Sequence, residues 1–309
     1  MRLVFLGTPE FAVPSLESLA AAGHRLLAVL TQPDRPRGRG RQTAFSPVKQ
    51  AALRLGLPVY QPERVRRPDA VEYLRGIAPE AMVVVGYGQI IPQSVIDIPP
   101  HGIVNVHGSL LPAYRGAAPI QWAVANGETR TGVTTMRIDA GLDTGDVLLK
   151  AETEIGPEET AVELGARLAV MGAALLVRTL EGLARGAVTP ERQDPSRATL
   201  APILKKEDGL IDWTRPAHAI HNRVRGFQPW PGAYTSFRGQ TLNVWRSRVQ
   251  EGAGPAGRLA SVRPPSVWCG AGRLELLEVQ LEGRKRVAGS DFANGQRLNP
   301  NEPLGETNP

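Results

Sequence analysis

The chain has 309 residues, of which 42% are hydrophobic and 21% charged, as in ordinary globular proteins with room for two domains. Its single cysteine, Cys269, excludes an internal disulfide and has no neighbour spaced for a metal site, so we expect a reducing cytoplasm and no bound metal. The longest apolar stretch, residues 81–92, falls far below the roughly 18 residues of a spanning helix, which predicts no membrane segment. The formal net charge of +6 favours an anionic partner.

Short apolar segments alternate with amphipathic ones along the first half of the chain. The predicted strands are residues 2–6, 26–31, 81–85, 102–106 and 132–138, and the predicted helices are 13–22, 48–55 and 69–77. This alternation is typical of a parallel sheet with helices on both faces. The first half therefore predicts a Rossmann-like α/β domain.

The pattern changes after the longest helical segment, residues 160–185, which we expect to close the first domain. Residues 186–208 carry three prolines and no period, as a connecting segment would. A helix is predicted at 216–225, followed by short alternating strands at 233–237, 241–246, 266–269 and 274–279. We expect a first domain at 1–188, a linker at 189–206 and a smaller, β-rich barrel or sandwich at 207–309.

Three polar residues stand near predicted strand ends. Asn105 and His107 lie two apart on one strand, so their side chains share a face. Asp143 lies in a Gly- and Asp-rich loop after the strand at 132–138. Ligands of open α/β sheets bind at such loops, and the three side chains are candidates for one site.

The chemistry of these groups suits acyl transfer to an amine. Asn105 offers an N–H for a developing oxyanion, His107 can assist loss of the amine proton, and Asp143 can orient the imidazole. The residues by themselves leave a second interpretation open. A strand-end histidine is often a structural residue, and an aspartate before Thr-Gly often only closes a turn.

Several segments are similar to one known family. The strings NVHGSLLPAYRGAAPIQ at 105–121 and DAGLDTGD at 139–146 resemble the formyltransferases that use 10-formyltetrahydrofolate. Four further strings resemble the members of this family that act on methionyl-tRNA. They are LGTPEFAVPSL at 6–16, TQPDRPRGRGR at 31–41, SPVK at 46–49 and KKEDGLIDW at 205–213. The resemblance covers nearly the whole chain and implies an OB-like fold for the second domain.

The resemblance also assigns residues. It implies that Asn105 holds the formyl oxygen, that His107 assists the transfer and that Asp143 pairs with His107. It implies folate contacts from the SLLP segment and a pterin pocket formed in part by the loop at 86–92. The residues concerned are Ser109, Leu110, Leu111 and Pro112 in the first segment, and Gly86, Tyr87, Ile90 and Ile91 in the second. The Tyr87 ring itself is expected to pack rather than to stack on a base.

A basic segment follows the second predicted strand. Residues 31–49 contain four arginines and a lysine against one aspartate, which makes a local net charge of +4. On charge alone it is either a solvated loop or a phosphate-binding one. The resemblance implies that it enters the acceptor end of an initiator tRNA, although Gln42 stands where the family commonly has a basic residue. The candidate RNA contacts are Arg35, Arg37, Arg39 and Arg41, with Lys205 and Lys206 as further candidates that a solvated turn explains equally well.

Three functions remain open at this stage. The one we favour is transfer of a formyl group from 10-formyltetrahydrofolate to the amine of methionyl initiator tRNA, by a cytoplasmic monomer. The second is formyl transfer to a small amine such as glycinamide ribonucleotide or an amino-sugar nucleotide, which would not need the basic loop or the second domain. The third is a non-catalytic RNA-binding protein, which would not need Asn105, His107 and Asp143.

Overall fold

The computed structural model describes residues 1–37 and 42–305. The first strands are β1 (Arg2–Gly7), β2 (Arg25–Leu30), β3 (Arg35–Arg37), β4 (Gln42–Ala44), β5 (Val59–Tyr60), β6 (Ala81–Val85), β7 (Ile103–His107), β8 (Arg115–Gly116), β9 (Arg130–Arg137), β10 (Val147–Glu154) and β11 (Leu200–Ala201). The first helices are α1 (Val13–Ala21), α2 (Pro47–Arg54), α3 (Pro68–Ile77), α4 (Gln93–Ile96), α5 (Pro119–Ala125) and α6 (Ala161–Ala184).

The later elements are the helices α7 (Ala217–Gly226) and α8 (Gly289–Gln296) and the strands β12 (Ala233–Phe237), β13 (Gln240–Gln250), β14 (Leu259–Val262), β15 (Pro265–Trp268), β16 (Arg273–Leu281) and β17 (Val287–Ala288). The chain divides into two compact units. The first contains residues 1–119, 130–154 and 165–201, and the second contains residues 120–129, 155–164 and 202–309. The predicted domain boundaries, with a linker at 189–206, stay a prediction.

A seven-stranded sheet forms the centre of the first unit, in the order β10-β9-β7-β6-β1-β2-β5. Successive residues of β1 lie on opposite faces of the sheet, because the side chains of a strand alternate in direction. Leu3 and Phe5 pack with α1, α2 and α6, whereas Val4 and Leu6 pack with α3 and α4. The predicted α/β architecture with helices on both faces of the sheet is confirmed.

The direction of β9 departs from the parallel pattern expected for every strand. It pairs antiparallel with both β7 and β10, and its last residue, Arg137, lies opposite Val104 near the start of β7. The loop that carries Asp143 therefore begins beside the amino end of β7, where Ile138 donates to the Ile103 carbonyl. This loop must run back along the sheet to bring Asp143 to His107 at the other end of the strand.

The second unit contains an antiparallel sheet in the order β12-β13-β16-β15-β14, with β17 beside β16. Its core joins inward residues of these strands to α7 and α8. Ile220 and Val224 lie one helical turn apart on α7 and pack against strand residues such as Leu242 and Leu276. The expected β-rich second domain is confirmed, and within the described residues no helix is long and apolar enough to cross a membrane.

Candidate active site

β7 presents Asn105 and His107 on one face and sends Val104 and Val106 into the core on the other. Asn105 is half-buried, and its carboxamide has no hydrogen-bond partner among the described residues. His107 is 5% exposed. The strand thus holds one carboxamide ready for a ligand beside an imidazole enclosed by protein.

Both ring nitrogens of His107 face protein acceptors. Nε2 lies 2.9 Å from the carbonyl oxygen of Tyr114, and because a carbonyl can only accept, the proton on that side belongs to Nε2. Nδ1 lies 3.7 Å from Oδ2 of Asp143. The imidazolium can donate towards both acceptors, whereas the neutral ring with its proton on Nε2 donates to only one.

Asp143 is held in a left-handed backbone conformation, with φ of 51°. This conformation is unusual outside glycine, and Asp and Asn are the residues that tolerate it best. Its Oδ2 also accepts a hydrogen bond of 2.8 Å from the Gly116 amide. The structure brings Asn105, His107 and Asp143 together on one side of β7, and within residues 1–37 and 42–305 no cluster of His, Cys, Asp and Glu side chains is arranged to hold a metal ion.

The SLLP segment forms a tight loop directly after β7. Ser109 Oγ donates to the Ala113 carbonyl at 2.6 Å, and the hydroxyl of Thr134 donates to the Ser109 carbonyl while accepting from the Leu111 amide. Ser109 and Leu111 are buried, whereas Leu110 and Pro112 are half-exposed. Ser109 and Leu111 therefore present almost no surface to a ligand, only Leu110 and Pro112 are partly accessible, and the folate role of this segment stays a prediction.

The loop at 86–92 follows β6 at the carboxyl edge of the parallel strands. The Tyr87 carbonyl accepts hydrogen bonds from Thr8 and Gln32, which fixes the start of the loop. The Tyr87 ring is buried in the core, as expected of a packing residue, and burial raises the pKa of its hydroxyl to about 12. Ile91 is buried and Gly86 is exposed, whereas Ile90 is 90% exposed and offers an apolar surface beside the sheet edge.

The basic segment is a hairpin in which β3 and β4 pair antiparallel. Arg35 is exposed on it, the side chains of Arg37 and Gln42 are not described, and Arg39 and Arg41 lie outside the described residues. Lys205 and Lys206 are exposed, and their ammonium groups have no partner among the described residues. None of these positions is contradicted as an RNA contact, and each stays a prediction.

The base of this hairpin is tied to the sheet by a polar network. Lys49 bonds the Asp34 carboxylate and Gln61, and Gln61 also donates to Asp34. Ser46 caps α2 by accepting from the Lys49 amide and shares a 2.7 Å hydrogen bond with Thr31. Because Asp34 precedes β3 and Lys49 follows β4, this network closes the hairpin at its two ends.

Two residues of the site escaped the sequence analysis. Gln193 is buried and reaches the main chain of the Asp143 loop, and Arg115 is buried against Gln193. Arg115 stood in the matched string without a role, and Gln193 fell in the segment interpreted as a linker. No local pattern marks Gln193, because its partners lie about 50 and 78 residues away in sequence.

Two family models match this chain. Residues 1–180 match the model described as formyl transferase, and residues 203–297 match the model described as formyl transferase, C-terminal domain. Solved structures share the fold at low identity. HypX from Aquifex aeolicus in complex with tetrahydrofolic acid has a TM-score of 0.66 at 16% identity, covering 97% of this chain and 48% of that one. The N-formyltransferase from Helicobacter canadensis, in complex with folinic acid and dTDP-3-aminofucose, has a TM-score of 0.65 at 16% identity, covering 89% and 98%.

Curated relatives are much more similar. The methionyl-tRNA formyltransferase of Solibacter usitatus is 71% identical over 99% of both chains. That of Citrifermentans bemidjiense is 51% identical over 99% of this chain and 97% of its own. Each of these matches spans 308 residues and therefore extends over both units. The chain therefore belongs to the formyl transferase family and, within it, to the methionyl-tRNA formyltransferases.

Proposed function

We propose that the protein transfers a formyl group from 10-formyltetrahydrofolate to the amino group of methionyl initiator tRNA, as a cytoplasmic monomer. The observation that carries the proposal is the placement of the free Asn105 carboxamide beside the His107–Asp143 pair, in a chain whose full length matches methionyl-tRNA formyltransferases. A small amine would not need the basic hairpin, and an RNA-binding protein would not need the three polar side chains.

The proposed reaction forms one bond and breaks another at the formyl carbon. The neutral methionyl amine attacks this carbon, and the carbonyl oxygen becomes an oxyanion that accepts from the Asn105 N–H and that the positive charge of a protonated His107 ring stabilises. Collapse of this intermediate breaks the bond to N10, which leaves tetrahydrofolate with the electron pair and a proton. Because both nitrogens of His107 face protein acceptors, we infer that a water takes the amine proton and that N10 receives a proton in exchange, so that the protons balance.

The formyl donor is proposed to lie along the carboxyl edge of β6 and β7. The exposed Ile90 would contact the flat face of the pterin, and the partly accessible Leu110 and Pro112 would contact another part of the folate. The burial of Ser109, Leu111 and Tyr87 supports a role in shaping these loops rather than in direct side-chain contact.

The hairpin of β3 and β4 is proposed to grip the acceptor arm of the tRNA. Arg35 is exposed there, and the sequence between its two strands adds the charges of Arg39 and Arg41. Arg39→Ala and Arg41→Ala are expected to weaken tRNA use in a salt-dependent way, because phosphate contacts release counterions. Equal losses with a minimal methionyl acceptor that lacks the tRNA arm would contradict this role.

The test is a formylation assay with the purified protein, 10-formyltetrahydrofolate and methionyl initiator tRNA, with methionyl elongator tRNA in parallel. Formylation of the initiator alone is the expected result. Transfer to neither tRNA, with the donor still bound or slowly hydrolysed, would overturn the proposed acceptor and direct the search to small amines. Light scattering on a size-exclusion column tests the monomer.

A further inference from the structure

Gln193 connects the two segments that flank the Asp143 carboxylate. Its side-chain nitrogen donates to the carbonyls of Asp143 at 2.9 Å and Gly145 at 2.7 Å. Its oxygen accepts from Nε of Arg115 at 3.1 Å and from Nη2 at 2.7 Å. A carboxamide has two N–H donors and an oxygen with two lone pairs, so every hydrogen-bonding position of Gln193 is used.

The first pair of bonds acts on the backbone of Asp143. This residue adopts φ of 51°, a conformation that residues other than glycine rarely hold without support. Gln193 bonds the carbonyl of Asp143 itself and that of Gly145, two positions further along. The direction of the Asp143 side chain follows from its backbone, so these two bonds fix the carboxylate relative to His107, 3.7 Å away.

The second pair of bonds acts on the other partner of the carboxylate. Arg115 is 9% exposed, and its guanidinium forms no ion pair with a carboxylate in the described part of the chain. The next residue, Gly116, donates its amide to Oδ2 of Asp143 at 2.8 Å. By holding Arg115, Gln193 holds the Gly116 amide in place as well.

We propose that Gln193 is a positioning residue for formyl transfer: its carboxamide locks the Asp143 loop to the Arg115–Gly116 segment and so holds the Asp143 carboxylate against His107. Gln193 acts through Asp143 and does not itself contact the reacting atoms. The inference rests on the proposed function and assigns a role to a residue in the segment that follows α6. A displacement of about 1 Å at a catalytic group is enough to cost on the order of 100-fold in rate.

Two substitutions separate the contributions of the carboxamide. Gln193→Met keeps the length and volume of the side chain and removes all four hydrogen bonds. Gln193→Glu keeps an oxygen for Arg115 and turns the donating nitrogen into an oxygen that faces two carbonyls. Both are expected to lower kcat by about 10- to 100-fold while each KM, for the folate and for the tRNA, stays within about threefold.

A double-mutant cycle tests whether the effect passes through Asp143. Gln193→Met is combined with Asp143→Asn, and its cost in that background is expected to fall below about threefold, because the charge to be positioned is already gone. Gln228→Met is the matched control. The Gln228 amide also donates to two carbonyls, those of Val224 and Trp245, but it lies in the second unit, and kcat is expected to stay within about twofold.

The outcomes distinguish this inference from the proposed function. Failure of the unmodified protein to formylate methionyl-tRNA would overturn the proposed function. If the protein formylates methionyl-tRNA but kcat is unchanged in both Gln193 variants, only the positioning role is overturned. The same holds if Gln193→Met lowers kcat by the same factor in the Asp143→Asn background as in the unmodified protein. If Gln193→Met does not fold, Gln193→Glu decides the matter, because its bond to Arg115 is preserved.

Discussion

Replacing Asp143 by asparagine removes one negative charge from the site and changes little else. Oδ2 of Asp143 accepts from the Gly116 amide at 2.8 Å, and the amide oxygen of asparagine can accept the same bond. Asparagine also tolerates the φ of 51° at this position, which alanine would not. Asp143→Asn therefore tests the electrostatic role of the carboxylate with the loop intact.

The size of the effect follows from the distance between the Asp143 carboxylate and the His107 ring when that ring is protonated. Opposite charges 3.7 Å apart interact by about 4 kcal/mol at an effective dielectric constant of about 20. His107 and Asp143 are both well shielded, with side-chain exposures of 6% and 18%, so solvent screening is partial. Since about 1.4 kcal/mol corresponds to tenfold in rate, we expect kcat to fall by roughly 100- to 1000-fold.

Single-turnover formylation at saturating 10-formyltetrahydrofolate and methionyl initiator tRNA measures this loss directly. Affinity for the tRNA, from filter binding, and the midpoint of thermal unfolding should both stay unchanged. Asp139→Asn is the control, because the Asp139 carboxylate lies in the same loop but bonds Gly141 and Thr144 instead of facing His107. A rate for Asp143→Asn within threefold of the unmodified protein, or an equal loss in the control, would refute the electrostatic role.

Three further predictions concern stability and reactivity. Burial opposes ionisation of Asp34, but the hydrogen bonds from Lys49 and Gln61 and the charge of Lys49 together outweigh it and lower the pKa of the carboxyl. The resulting stabilisation is present at neutral pH and is lost as the pH falls through that lowered pKa. Asp34→Asn should thus cost about 2 kcal/mol in the free energy of unfolding at pH 7 and less in acid, and an equal cost at pH 7 and pH 3 would contradict this. Burial raises the pKa of the Cys269 thiol to about 12, so a thiol reagent at pH 8 should modify it only after denaturation. Rapid labelling of the native protein would show that the Cys269 thiol is accessible and would contradict this. Gly116→Ala would place a methyl carbon 2.5 Å from the Ala201 carbonyl oxygen at a φ of 122°, and it should lower the free energy of unfolding by about 2 to 4 kcal/mol in a denaturant titration, which unchanged stability would contradict.

The parts of the fold that depend on residues close together in the sequence could be predicted from the sequence. The predicted strand at 102–106 is β7, shifted by one residue, and the predicted helix at 160–185 is α6. The spacing of Asn105 and His107 placed them on one face, because the side chains of a strand alternate whatever surrounds it. The basic segment was evident from local charge. A resemblance to known proteins supplied the assignment of these residues, which their spacing left open between a structural and a catalytic role.

The remaining features depend on pairings between distant segments, which no local period encodes. The antiparallel direction of β9 decides that the Asp143 loop starts beside Ile103 and returns to His107. Gln193 meets Asp143 across 50 residues of sequence, through single hydrogen bonds that leave no pattern in the chain. The sequence alone determined many of the strands and helices, although not β10, β14, α5 or α8, and it determined which polar groups are available. Only the tertiary structure decided which of those groups meet, because that depends on the path of the chain between them.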